Sequence, residues 1–133
     1  MQHDEMIGKV QALTRLPGRG PAERATQAVL TTLAERLPSG LAGHMAAQLP
    51  PGLAAPVRQA AEAPTERFDL TTLAGRIAAR AGTDEDMAVR EASAVFEVLD
   101  AALAPELMDH VAEALPADIR ELLPAGRAGE ERP

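Results

Sequence analysis

The feature that most constrains this chain is that it repeats itself. Shifted by 66 residues, Ala28-Val29 falls on Ala94-Val95, Leu30 on Phe96, Leu33 on Leu99, Leu37 on Leu103 and Leu41 on Leu107. His44 then falls on His110, Met45 on Val111, Leu49-Pro50 on Leu115-Pro116 and Leu53 on Ile119. Upstream the shift becomes 67, and Gly8-Lys9-Val10 falls on Gly75-Arg76-Ile77. Generic amphipathic helices rich in alanine and leucine also align loosely. A shared Leu-Pro junction and a shared glycine-basic-aliphatic triplet do not arise that way. The fold must therefore accept two copies of one pattern. A half of about 55 residues is marginal as an independent unit. The economical solution packs both halves around one core, related by a pseudo-twofold axis.

The pattern is helical. Apolar residues recur at three- and four-residue spacing, β-branched residues are scarce, and no stretch alternates for long. In the first half, Met6, Val10 and Leu13 make one stripe. Val29, Leu30, Leu33 and Leu37 make the next, and Leu41, Met45 and Leu49 the third. Leu70, Leu73 and Ile77, then Val95, Phe96, Leu99 and Leu103, then Leu107, Val111 and Leu115 repeat the set. The expectation is one all-α domain over 1–124, a bundle of about six main helices built from two tandem three-helix repeats. Repeat 1 covers about 4–59, a linker about 60–66 and repeat 2 about 67–124, with a flexible tail over 125–133. The two central helices are expected to pair, with Val29, Leu33 and Leu37 near Val95, Leu99 and Leu103. Ala25, Ala28, Ala92 and Ala94 would permit close approach.

Boundary residues carry their own signals. Pro21 suits a first helical turn, and Ser39, Asp69 and Thr83 suit N-caps. Asp84, Glu85 and Asp86 favour a helix start, Gly82 a left-handed stop, and Pro51 and Pro116 the openings of short further helices.

Composition excludes more than it selects. There is no cysteine, hence no disulfide, thiolate nucleophile or cysteine metal site. Two phenylalanines with no tyrosine or tryptophan give no stacking platform for bases. The net charge of −7 opposes nonspecific binding to nucleic acid or an anionic membrane. The acidic start Met1-Gln2-His3-Asp4-Glu5 lacks the features of a secretory signal, so a cytoplasmic protein is expected. Twelve arginines against the single Lys9, with 28 alanines, suggest a GC-rich bacterial genome.

Ala22-Glu23-Arg24-Ala25-Thr26-Gln27-Ala28-Val29-Leu30-Thr31-Thr32-Leu33-Ala34-Glu35-Arg36-Leu37, followed by Ala46-Ala47-Gln48-Leu49-Pro50, resembles the bacterial domain of unknown function 2267. So does the second-half sequence from Phe68-Asp69-Leu70-Thr71-Thr72-Leu73 through Leu115-Pro116-Ala117-Asp118-Ile119-Arg120-Glu121-Leu122. The resemblance covers about residues 4–124. It implies a helical bacterial protein with a twofold repeat and brings no catalytic residues with it. The chain departs from that pattern at His44 and His110, where the family tends to carry an acidic residue, and in the Pro/Gly-rich loop Leu16-Pro17-Gly18-Arg19-Gly20.

His44 and His110 are therefore the candidate metal ligands, equivalent under the repeat. Each sits between inward positions, which favours two solvated helix-surface imidazoles, and no H-x-x-x-H or E-x-x-H spacing supplies a third ligand. His3, at the chain end, reads as frayed. Arg15, Arg19 and Arg24 cluster near the first loop, and Arg76, Arg80 and Arg90 at the equivalent place in the second half. They are expected to offset Glu23, Asp84, Glu85 and Glu91. Ser39 and Ser93 lie in no nucleophile elbow, Gly18-Arg19-Gly20 is too short for a phosphate loop, and a haem pocket has only Phe68 and Phe96 to build on. No catalytic residue and no cofactor is expected. The favoured reading is a non-enzymatic, cytoplasmic protein-interaction or regulatory module, with a protein partner or self-association. The alternative is a small-molecule or metal-binding protein with a site between the repeats.

Overall fold

The structure, a computed structural model, describes residues 1–124. The tail expected over 125–133 lies outside the described residues. Within them the chain forms eight α-helices and no strand: α1 (His3–Thr14), α2 (Arg19–Arg36), α3 (Ser39–Ala47), α4 (Pro51–Ala61), α5 (Leu70–Ala81), α6 (Glu85–Ala102), α7 (Pro105–Ala114) and α8 (Ala117–Arg120). The helix bounds keep the offset seen in the sequence. α1 and α5 differ by 67 residues at both ends. α2 and α6 differ by 66 at both ends, and α3 and α7 begin 66 apart.

The expected count of six main helices is exceeded because Pro51 opens a full helix rather than a single turn. α4 runs 11 residues despite Pro56 in its interior. Proline there removes one backbone bond and crowds the preceding turn. Burial of Leu53, Ala54 and Val57 opposes that cost. Its counterpart α8 has only four residues, of which Ile119 is buried. The connection between halves accordingly runs from Glu62 to Asp69, slightly later than expected.

The buried side chains form one contiguous cluster from Met6 to Leu123, with Phe96 the largest fully enclosed member. α1 packs on α2 and α6, and α5 packs on α6 and α2, while α4 covers α2 and α3. Val29, Leu33, Leu37, Val95, Leu99 and Leu103 are all buried, as are the four alanines expected to allow close approach. α2 nevertheless contacts α5 and α4 more extensively than α6, so the central helices are not the dominant pair. Buried Thr14, Thr26 and Thr32 return their hydroxyls to the carbonyls of Val10, Ala22 and Ala28 at 2.7, 2.7 and 2.8 Å, which lets polar side chains sit in an apolar interior. One stripe assignment fails. Met6 and Val10 are fully buried, but Leu13 points outward and is 44% exposed.

The helix ends follow local chemistry, and they depart from expectation at Thr83, Ser39, Pro116 and His3. Asp69 caps α5 by accepting from the Thr72 N–H at 3.1 Å. Asp84, not Thr83, caps α6, accepting from the Met87 N–H at 2.8 Å. Carboxylate at that place also suits the positive helix end. Ser39 lies inside α3, where Pro38 holds the cap position without a side-chain bond. Pro116 likewise precedes α8 instead of opening it. His3 is not frayed: it begins α1, and its Nε2 lies 3.4 Å from a Glu23 carboxylate oxygen.

Gly82 ends α5 in the left-handed region at φ 72°, and its counterpart one repeat earlier, Arg15, ends α1 at φ 59°. The side chain makes that conformation costly for arginine and not for glycine. Gly82→Ala is expected to lower stability by about 1 kcal/mol, and Arg15→Gly to raise it by about 0.5 kcal/mol, in denaturant titrations.

Candidate functional site

His44 and His110 are both solvent-exposed, on α3 and α7 respectively, and these two helices touch. Neither lies in a group of three or more His, Asp or Glu side chains able to hold a metal among the described residues. The chemistry of the molecule concentrates elsewhere, along the two seams where the halves meet.

The first seam joins α2 to α5. Glu35, only 18% exposed in its side chain, receives Arg76 Nη1 at 2.9 Å on Oε1 and Arg80 Nη2 at 2.7 Å on Oε2. Arg80 also donates to the Thr32 hydroxyl at 2.7 Å. Arg76 continues to Glu66 at 2.7 Å, and its guanidinium lies 4.4 Å from the centre of the Phe68 ring. The connecting segment is bound in turn. The Glu66 N–H donates to the Glu35 carbonyl at 3.0 Å, the Thr65 hydroxyl to the Leu37 carbonyl at 2.9 Å, and Arg36 Nε to the Phe68 carbonyl at 2.9 Å. The hydrogen bond from Arg76, with its charge, holds the Glu66 carboxyl below its ordinary value. Arg76 and Arg80 thus face Glu35 and Glu66, not the Asp84, Glu85 and Glu91 expected from sequence proximity. Arg90 donates instead to the Thr14 carbonyl at 3.3 Å, and Arg19 to the Asp4 side chain at 3.2 Å.

The second seam joins α1 to α6, and the repeat offset places it opposite the first. Lys9 stands where α5 has Arg76, Leu13 where it has Arg80, Ala101 where α2 has Glu35, and Val98 where it has Thr32. Of these four positions, only that of Arg76 holds a charged residue in this seam, and the other three are apolar. The result is an open groove of about 320 Å³ lined by Lys9, Ala12, Leu13, Glu97, Val98 and Ala101. Leu13 is its exposed large apolar side chain, and Met1 is the other one exposed among the described residues. The sequence held the signal for this. A position occupied by arginine in one repeat is a surface position, so its leucine partner was not core.

Glu91 is the third unusual group. Expected among surface charges, it is 2% exposed, and its Oε1 has no hydrogen-bond partner among the described residues. The repeat offset sets it against Ala25, a fully buried alanine. Burial, with a smaller push from Asp84, moves its carboxyl above the ordinary value.

These features define an all-helical protein with two unlike helix seams, α2/α5 ionic and α1/α6 apolar and open. By sequence the chain belongs to the family described as an uncharacterized conserved protein, domain of unknown function 2267, whose model matches residues 3–122. No curated protein matches the chain closely enough to count as a relative. No helix among the described residues is long and apolar enough to cross a membrane.

Two outcomes follow from the ionisable groups. Glu35→Gln leaves Arg76 and Arg80 without their shared anion and should lower stability by about 1–2 kcal/mol at low salt, with a smaller loss in molar salt. Glu91→Gln should raise stability at pH 7, measured by denaturant titration, because it removes a buried charge. The sign comes from linkage. A carboxyl whose folded value is raised favours the fold while protonated and opposes it as the pH rises through that value. The gain should therefore vanish below the ordinary carboxylate range.

Proposed function

We propose that this chain is a duplicated helical protein-interaction module whose binding face is the α1/α6 groove. In this reading residues 1–124 are one domain of two tandem repeats, about 4–59 and 67–124, related by a pseudo-twofold axis. The matching helix bounds and the single continuous cluster of buried side chains support it. The observation that carries the functional reading is the exposure of Leu13 in a groove whose repeat counterpart is closed by Glu35, Arg76 and Arg80. Apolar surface gathered in a concave site with charged rims favours a protein partner. Each repeat gives one helix to each seam: the α1/α6 seam keeps a binding face, and the α2/α5 seam spends the equivalent positions on holding the halves together.

The test is site-specific photo-crosslinking in the host cell. A crosslinker is placed at Ala12, on the groove, and in a separate protein at Ala79, its exposed counterpart on α5. Adducts are expected from Ala12, diminished by Leu13→Arg, and not from Ala79. Equal labelling at both positions, or none at Ala12, overturns the reading.

A further inference from the structure

We propose that the partner of the α1/α6 groove is the same groove on a second copy of this chain, joined about a twofold axis. The inference rests on reading the groove as a protein-binding face, and it names the occupant.

Charge complementarity singles out a second copy as the occupant. The groove carries one base and one acid on opposite helices, Lys9 on α1 and Glu97 on α6. Both are exposed, and neither forms an ion pair among the described residues. A twofold axis through the groove lays α1 of each copy across α6 of the other. A self-complementary patch of this kind is what a closed dimer requires. Lys9 then meets Glu97 of the second copy, twice over, and Leu13 meets the exposed Ala101. A partner of one charge sign would match only one rim, whereas this chain supplies both. The pairing also restores between copies what the other seam makes within one copy. Arg76 and Arg80 find their acid, Glu35, across the α2/α5 seam, but the counterpart of that acid is Ala101. Lys9 is left to find an acid outside.

Six lining residues are few beside a standard interface, which buries about 1,200–2,000 Å² in total. The dimer is therefore reversible and concentration-dependent rather than obligate.

Sedimentation equilibrium of the full chain from low micromolar to millimolar concentration tests this. The expected result is a monomer–dimer equilibrium that Leu13→Arg weakens about tenfold or more, as loss of a central apolar anchor does. Lys9→Glu and Glu97→Lys should each weaken it at low salt. Mixed together, those two variants should pair with each other better than either pairs with itself, because one then carries acid at both positions and the other base at both. Leu13→Arg should melt close to the parent, since Leu13 is already 44% exposed. If it does not fold, Ala12→Glu on the same groove reads the same loss. A monomer at every concentration overturns the proposal, as does a dimer indifferent to both the leucine and charge variants. Monomeric protein that still yields a foreign adduct at Ala12 in cells defeats self-association alone. Absence of both dimer and adduct defeats the protein-binding reading as well.

Discussion

Glu35 fixes the relation between the two halves. Arg80 grips both Glu35 oxygens, at 3.0 and 2.7 Å, and Arg76 shares Oε1 at 2.9 Å, so one carboxylate on α2 anchors two successive turns of α5. Arginine suits this role because its planar fork can bind one anion while reaching another, as Arg76 does with Glu66. The chain between the halves is drawn onto the same place by the backbone bond from Glu66 to Glu35. Apolar burial supplies the driving force for the bundle, but burial by small residues is not directional. With 28 alanines in the chain, a charged and geometrically specific contact is what selects one docking of α5 on α2 over its neighbours.

The repeat proposed here gives a reason for the second seam to differ from the first. Two copies around one core would create two equivalent seams, of which the α2/α5 seam alone carries the clamp of Glu35, Arg76 and Arg80. The α1/α6 seam retains buried contacts through Met6, Val10, Val95 and Val98. Its outer positions are released from holding the halves together. Lys9, Leu13, Glu97 and Ala101 occupy them, and the same backbone geometry that forms a clamp on one side forms an open groove on the other. Asymmetry between repeats is thus the informative part of a symmetric sequence.

Much of the fold was legible because its causes are local. Helical spacing, the Asp69 cap and the left-handed Gly82 depend on residues a few positions apart. Errors arose where two local solutions competed or where the cause was distant. Thr83 and Asp84 both suit a cap, and the carboxylate with its charge at the helix end prevailed. The partners of Arg76 and Arg80 lie across the bundle on α2, which no spacing rule reaches. Leu13 and Glu91 were misplaced for a different reason. At each, the residue type alone points the wrong way, whereas the repeat counterpart, Arg80 or Ala25, gives the environment of the position. The groove was therefore present in the sequence, but only in the mismatches of the alignment.

Amide hydrogen exchange measured at dilute and at concentrated protein compares the two seams in a single experiment. The account predicts that protection rises with concentration around residues 9–13 and 97–101 and stays constant around 31–36 and 76–80. Protection that rises equally at both seams, or at neither, would contradict it.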